Sequence, residues 1–135
     1  MISIAVLGYG TVGSGVVEVL EKNKDVINQR AGDEISVKYV LDLRDFPGDP
    51  VEKVLVHDYD VIVNDPEVDI VVETMGGTRP AYEFVKKSLL AGKSVCTSNK
   101  ELVAAYDAVE QPRRKEFLEM WLFAFHACGM RMVDV

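Results

Sequence analysis

Gly8-Tyr-Gly-Thr-Val-Gly13 sits between two segments of different periodicity, and its reading decides the fold. Before it, Ile2, Ile4, Val6 and Leu7 form a short apolar strand. After it, Val12, Val16, Val19 and Leu20 recur at helical spacing, with Glu18, Glu21 and Lys22 among them. A GxGxxG pattern that leaves a strand and opens a helix is the context a dinucleotide turn requires. Gly8 permits the tight turn, Gly10 lets a pyrophosphate approach the backbone, and Gly13 brings the helix close to the strand. Amides of Thr11 and Val12 at the helix start face the two negative phosphates. A glycine turn that merely connects strand to helix is the plain alternative. The GxxxxGK[ST] pattern is absent, which argues against a kinase or ATPase.

Working outward, Ile35 to Leu41 reads as a second strand with Asp42 at its far end. Phe46 to Pro50 is a loop, Val54 to Val56 a short strand, and Asp58 caps a helical turn that reaches Asn64. The apolar run before Glu73 suits a strand covered on both faces and ends at Gly76-Gly77. Pro80 starts a helix that Gly92 closes, Ser94 to Thr97 is a further strand, and a helix follows at Glu101. This order predicts a Rossmann-like doubly wound α/β domain, a parallel sheet with helices on both faces.

The C-terminal strand edge would then gather Gly8 to Gly13, Asp42, Glu73 to Thr78 and Ser98 to Lys100. Asp42 is placed to accept adenosine ribose hydroxyls, although its distance from Gly13 exceeds the usual spacing of about 20 residues. It tips the expectation toward NAD, while Arg44 could pair with a 2′-phosphate and keeps NADP open. Lys100 could approach nicotinamide or substrate, with Asn99 and Ser98 as hydrogen-bonding neighbours. Ser98 or Asn99 as a helix cap is an equal reading. Glu73 either orients a loop or moves a proton.

A chain of 135 residues is about one domain, and 48% hydrophobic with 27% charged residues excludes extensive disorder. The net charge of -7 argues against a nucleic-acid or anionic-membrane partner. Cys96 and Cys128 read as two isolated thiols, and with only His57 and His126 a zinc site is not expected. The uncharged start before Glu18 has no basic region and is broken by glycines, and Met120 to Met130 is too short to span a membrane. A cytoplasmic location is expected.

Leu7 to Val16, Asn64 to Asp69, Val71 to Gly77, Pro80 to Glu83 and Thr97-Ser-Asn-Lys100 together resemble the coenzyme domain of homoserine dehydrogenase, over roughly residues 2–105. The resemblance implies NAD(P)-dependent interconversion of L-homoserine and L-aspartate 4-semialdehyde, on the route to threonine and methionine. It implies that Gly8 to Gly13 hold the pyrophosphate and that Gly76, Gly77 and Thr78 line the nicotinamide side. Lys100 resembles the family lysine near the reacting carbon, the one catalytic candidate in this chain. The family usually has alanine where Ser98 stands. Further proton-transfer and substrate-orienting groups belong, in the family, to a second domain, so turnover by this chain alone is not expected.

From about Tyr106 the resemblance fades. Residues 1–110 are read as the coenzyme domain and 111–135 as an atypical apolar tail, packed on the domain or at a homodimer contact. The Trp121 to Phe125 run reads as a final strand or an added helix, with Phe117, Trp121 and Leu122 on one face favouring the helix. Premature termination or a shifted reading frame would explain the change. Two other functions fit the residues: a stand-alone NAD(P)-binding regulatory or redox-sensing module, and a different Rossmann oxidoreductase.

Overall fold

The computed structural model describes residues 1–102; the 111–135 tail lies outside them. Five strands form one sheet: β1 (Ile2–Leu7), β2 (Ile35–Leu41), β3 (Leu55–Val56), β4 (Val68–Glu73) and β5 (Ser94–Thr97). Their spatial order is β3-β2-β1-β4-β5 and every pairing is parallel. The chain winds outward from β1 to one edge, returns, and winds from β4 to the other. The doubly wound expectation therefore holds, and the direction reverses between β1 and β4.

Side-chain alternation explains why β1 lies in the middle. Ala5 and Leu7 face one layer and Ile4 and Val6 the other, all almost fully buried. On the second of these faces α1 (Thr11–Lys22) packs Val16, Val17 and Leu20 over Ile4, Val6 and Val40. On the first, α3 (Tyr59–Val63) and α4 (Ala81–Leu90) bury Tyr59, Ile62, Ala81 and Val85 against Leu7, Val71 and Val95. Each fully buried aliphatic side chain contributes roughly 1.5–3 kcal/mol relative to exposure, so the two layers hold the sheet from both sides. The Tyr59 and Phe84 rings stack at 4.2 Å, and the Tyr59 hydroxyl donates to the Phe84 carbonyl at 2.8 Å.

The structure adds local detail and corrects two readings, the start of the third strand and the state of Cys96. A second helix, α2 (Lys24–Ala31), occupies the long interval between Gly13 and Asp42. The loop expected from Phe46 is present and leads into a 3-10 turn, Pro50–Lys53, which Asp49 caps by accepting the Val51 N–H at 2.9 Å. Val54 follows that turn, so the third strand begins at Leu55. Cys96, read as an isolated thiol, is disulfide-bonded. The capping role of Asp58 holds, with the Asp60 N–H 2.9 Å from its carboxylate. Among the described residues no helix is long and apolar enough to cross a membrane, and no cluster of His, Cys, Asp and Glu could hold a metal.

Candidate functional site

The strand register sets the site. Val56 pairs with Leu41, Leu41 with Leu7, Leu7 with Glu73 and Glu73 with Thr97, a single row across the sheet. The residues one step beyond that row are His57, Asp42, Gly8, Thr74 and Ser98. Separate sequence segments are thus brought to one C-terminal edge, where open α/β sheets bind their ligands.

At the centre of that edge Gly8 takes φ +96°, which turns the chain from β1 toward α1. Gly13 is required by contact: a Cβ there would lie 1.9 Å from the Gly8 carbonyl oxygen and 2.8 Å from Thr74 Oγ1. The Thr74 hydroxyl donates to the carbonyls of Leu7 at 2.9 Å and Gly8 at 3.1 Å, fastening β4 to the turn. Gly10 differs, since a Cβ there meets no protein atom within 4 Å. The first helical hydrogen bond is Ser14 N–H to the Gly10 carbonyl, and no side chain caps the start of α1. The amides of Thr11, Val12 and Gly13 therefore begin the helix ahead of its own ladder, and their dipoles favour an anion.

Two grooves flank this turn. One, about 480 Å³, is lined by Gly8 and Gly10 together with Asp42, Arg44 and His57. The other, about 310 Å³, is lined by Val12, Gly76, Gly77, Ser98, Asn99 and Lys100. Thr74 lines both. Thr78 lines neither: it is exposed, and its carbonyl accepts the Tyr82 N–H at the start of α4.

Asp42 is held from two sides. Its Oδ2 accepts the Tyr9 N–H at 2.9 Å and Arg44 Nη2 at 2.9 Å, and its Oδ1 accepts the Arg44 backbone N–H and Nε, each at 3.0 Å. The Arg44 guanidinium first, then the Arg44 and Tyr9 amides, hold the Asp42 carboxyl well below the usual carboxylate range against the opposing effect of burial. Asp42 thus turns the loop that follows β2 through the Arg44 N–H, and it lines the first groove. The Arg44 guanidinium stands 5.2 Å from the Phe46 ring centroid, and Tyr9 reaches back to Asp49. His57 adds Nδ1 at 2.6 Å from the Asp42 carbonyl and Nε2 at 3.0 Å from Asp45.

In the second groove Asn99 is the helix cap, accepting the Leu102 N–H at 3.2 Å. Its amide also donates to the Gly77 carbonyl. Lys100 and Ser98 are exposed. Tyr9 and Thr74 fall inside the segments expected at this edge, while His57 and Thr97 lie outside them. The row position beyond β3 is the one sequence signal that would have found His57.

These features coincide with known proteins. The family described as homoserine dehydrogenase, NAD binding domain, matches residues 8–115. The chain belongs to this family. It is 38% identical to homoserine dehydrogenase of Helicobacter pylori over 105 residues, covering 76% of this chain and 24% of that protein. The Bacillus subtilis homoserine dehydrogenase is 35% identical over 120 residues, covering 85% and 27%. A solved homoserine dehydrogenase from Thiobacillus denitrificans superposes with a TM-score of 0.71 at 37% identity, covering 96% of this chain and 28% of that one. The chain thus spans about a quarter of the length of the relatives it matches. It is an NAD(P)-binding domain of an oxidoreductase lineage.

Proposed function

We propose that this chain holds NAD or NADP across the sheet edge and presents the nicotinamide for interconversion of L-homoserine and L-aspartate 4-semialdehyde. One observation carries the coenzyme reading. An uncapped helix N-terminus, with ligand space at Gly10, lies between two grooves at the point where strand order reverses. A dinucleotide has that shape: a central diphosphate with one arm to each side.

The diphosphate would lie on the amides after Gly10, with Thr11 and Val12 as donors and Gly13 allowing the helix its close approach. The adenosine ribose would reach Asp42, and the nicotinamide would enter the groove of Gly76, Gly77, Ser98, Asn99 and Lys100. A bound coenzyme supplies the hydride chemistry; the protein supplies placement and charge. Lys100 is the group in this chain that could approach the reacting carbon or the alkoxide that forms there. Thr78 would act through its backbone at the base of the loop.

Asp42 and Arg44 bear on the choice of coenzyme. Every acceptor position of Asp42 is taken, two of them by the Arg44 side chain. The guanidinium is 64% exposed although the Asp42 carboxylate is only 10% exposed, so a ribose arriving from solvent could displace it. Released, Arg44 could meet a 2′-phosphate. With Asp42 in place we favour NAD modestly.

Isothermal titration with NAD, NADH, NADP and NADPH, beside an L-homoserine oxidation assay, tests the proposal. Nucleotide binding without oxidation is the expected result, given the quarter-length match. It would also fit a binding module with no catalysis, which a full-length relative carrying these residues would exclude by oxidising homoserine. Absence of binding to all four nucleotides would overturn the coenzyme reading.

A further inference from the structure

Gly76 and Gly77 pose a physical problem. Both adopt positive φ, +74° and +70°, in an exposed loop. Among the described residues, a Cβ on Gly76 would touch nothing within 4 Å, and one on Gly77 only the Arg79 carbonyl at 4.0 Å. Two consecutive glycines have the largest conformational freedom to lose, and here packing does little to remove it. The loop nevertheless forms a wall of the second groove.

Hydrogen bonds supply the missing restraint, from two directions. Glu73 is completely buried at the end of β4. One of its oxygens accepts the Met75 N–H at 2.7 Å and the Gly76 N–H at 3.3 Å, which curls the chain immediately after the strand. The other accepts the Thr97 hydroxyl at 2.6 Å. Thr97 Oγ1 in turn accepts the Asn99 N–H at 3.0 Å. Asn99 then closes the circuit by donating from its side-chain amide to the Gly77 carbonyl. The circuit is anchored in the core: Glu73 and Thr97 are register partners on adjacent strands, and both are buried. No ion pair engages Glu73 among the described residues, and each of its recorded hydrogen bonds goes to this loop or to Thr97.

We propose that Glu73, Thr97 and Asn99 are positioning residues that fix the Met75–Gly77 loop in the shape that receives the nicotinamide half of the coenzyme. This inference rests on the coenzyme reading above. It assigns Glu73 to loop orientation and gives Asn99 two separable tasks, capping through its oxygen and clamping through its nitrogen.

That separation provides the test. Asn99→Asp keeps an oxygen for the Leu102 N–H but has no donor for Gly77. Asn99→Ser also keeps a cap, is too short to reach Gly77, and adds no charge. Titrations of the 135-residue chain and both variants with NADH and with ADP-ribose, which lacks nicotinamide, read the two halves separately. The expected result is NADH binding weakened about tenfold in both variants, as for one lost hydrogen bond. ADP-ribose affinity should stay within about twofold, with melting temperatures unchanged, because the cap is retained. Equal weakening of both ligands, or NADH affinity unchanged in both variants, would overturn the clamp while leaving the coenzyme reading standing. Failure of the unaltered chain to bind either ligand would instead overturn that reading together with the clamp.

Discussion

The two grooves that meet at Thr74 are built on different principles. On the Asp42 side the holding forces are charges near water: an Asp42–Arg44 pair with an exposed guanidinium, a His57–Asp45 contact, and an arginine over Phe46. On the Gly76 side they are buried hydrogen bonds leading from Glu73 through Thr97 to Asn99. Exposed ion pairs exchange readily with solvent or ligand. Buried polar circuits do not, because each partner left without a bond costs about 1–3 kcal/mol. The contrast suits a coenzyme whose adenosine end needs affinity and whose nicotinamide end needs geometry.

The largest effect should come where the grooves join. Gly13→Ala would drive a Cβ to 1.9 Å from the Gly8 carbonyl, against backbone that cannot yield locally. Urea unfolding should show a loss of roughly 3 kcal/mol, the scale of severe overpacking, and nucleotide binding should vanish. Gly10→Ala meets open space, at backbone angles alanine can adopt (φ −86°, ψ −157°). Its stability should stay within about 0.5 kcal/mol, yet NAD affinity should fall at least about tenfold. If Gly10→Ala bound NAD normally, the space beside that residue would not belong to the diphosphate.

Next in size is a direct weighing of the two sides. Thr97→Val preserves side-chain shape but leaves a Glu73 oxygen and the Asn99 N–H without their partner. Urea unfolding should register about 1–3 kcal/mol. Arg44→Ala breaks two side-chain bonds to Asp42 yet should cost less than Thr97→Val, since water reaches the place of the exposed guanidinium. Equal costs would erase the distinction between the grooves. In the same Arg44→Ala chain, NADP affinity should drop several-fold more than NAD affinity, measured by titration.

Periodicity and glycine chemistry made most of the frame legible. The strand Ile35–Leu41, the Asp58 cap and the β1 turn follow from local rules, and the structure has them where those rules put them. Propensity fails at α2, whose polar Lys24–Ala31 face buries nothing and gives no amphipathic signal. The Pro50–Lys53 turn extends the expected loop because Asp49 caps it, a contact that composition does not single out. The site was legible in its glycines, in Asp42 and in the 98–100 segment, where sequence spacing is enough. His57 and Thr97 required the register across four strand pairings, which no local pattern encodes. Glu73 was visible as a strand-ending acid, but its choice between turning a loop and moving a proton depended on which amides lay above it.

Acid should separate the sides by the smallest margin. Asp42 is held well below the usual carboxylate range, mainly by Arg44. Asp65, below the opposite end of the sheet beside Lys38, is lowered to about 2, by Lys38 first and then by the Glu67 N–H and Tyr39 hydroxyl. Both folded values lie under the unfolded value of about 3.9, so the unfolded chain takes up protons first as pH falls. Their stabilisation is complete above about pH 4 and fades as pH descends toward the folded values. Urea midpoints measured from pH 6 down to pH 2.5 should therefore fall below about pH 4. Asp42→Asn and Asp65→Asn should each start lower at pH 6 and show a shallower decline. Arg44→Ala should remove most of Asp42's share of that decline while leaving Asp65's, because the guanidinium is the largest cause of the Asp42 shift. Asn99→Ser should keep the full decline, since it alters the neutral clamp and no carboxylate. An acid slope flattened as much by Asn99→Ser as by Asp42→Asn would mean that charge also holds the nicotinamide side, and the contrast between the grooves would have to be abandoned.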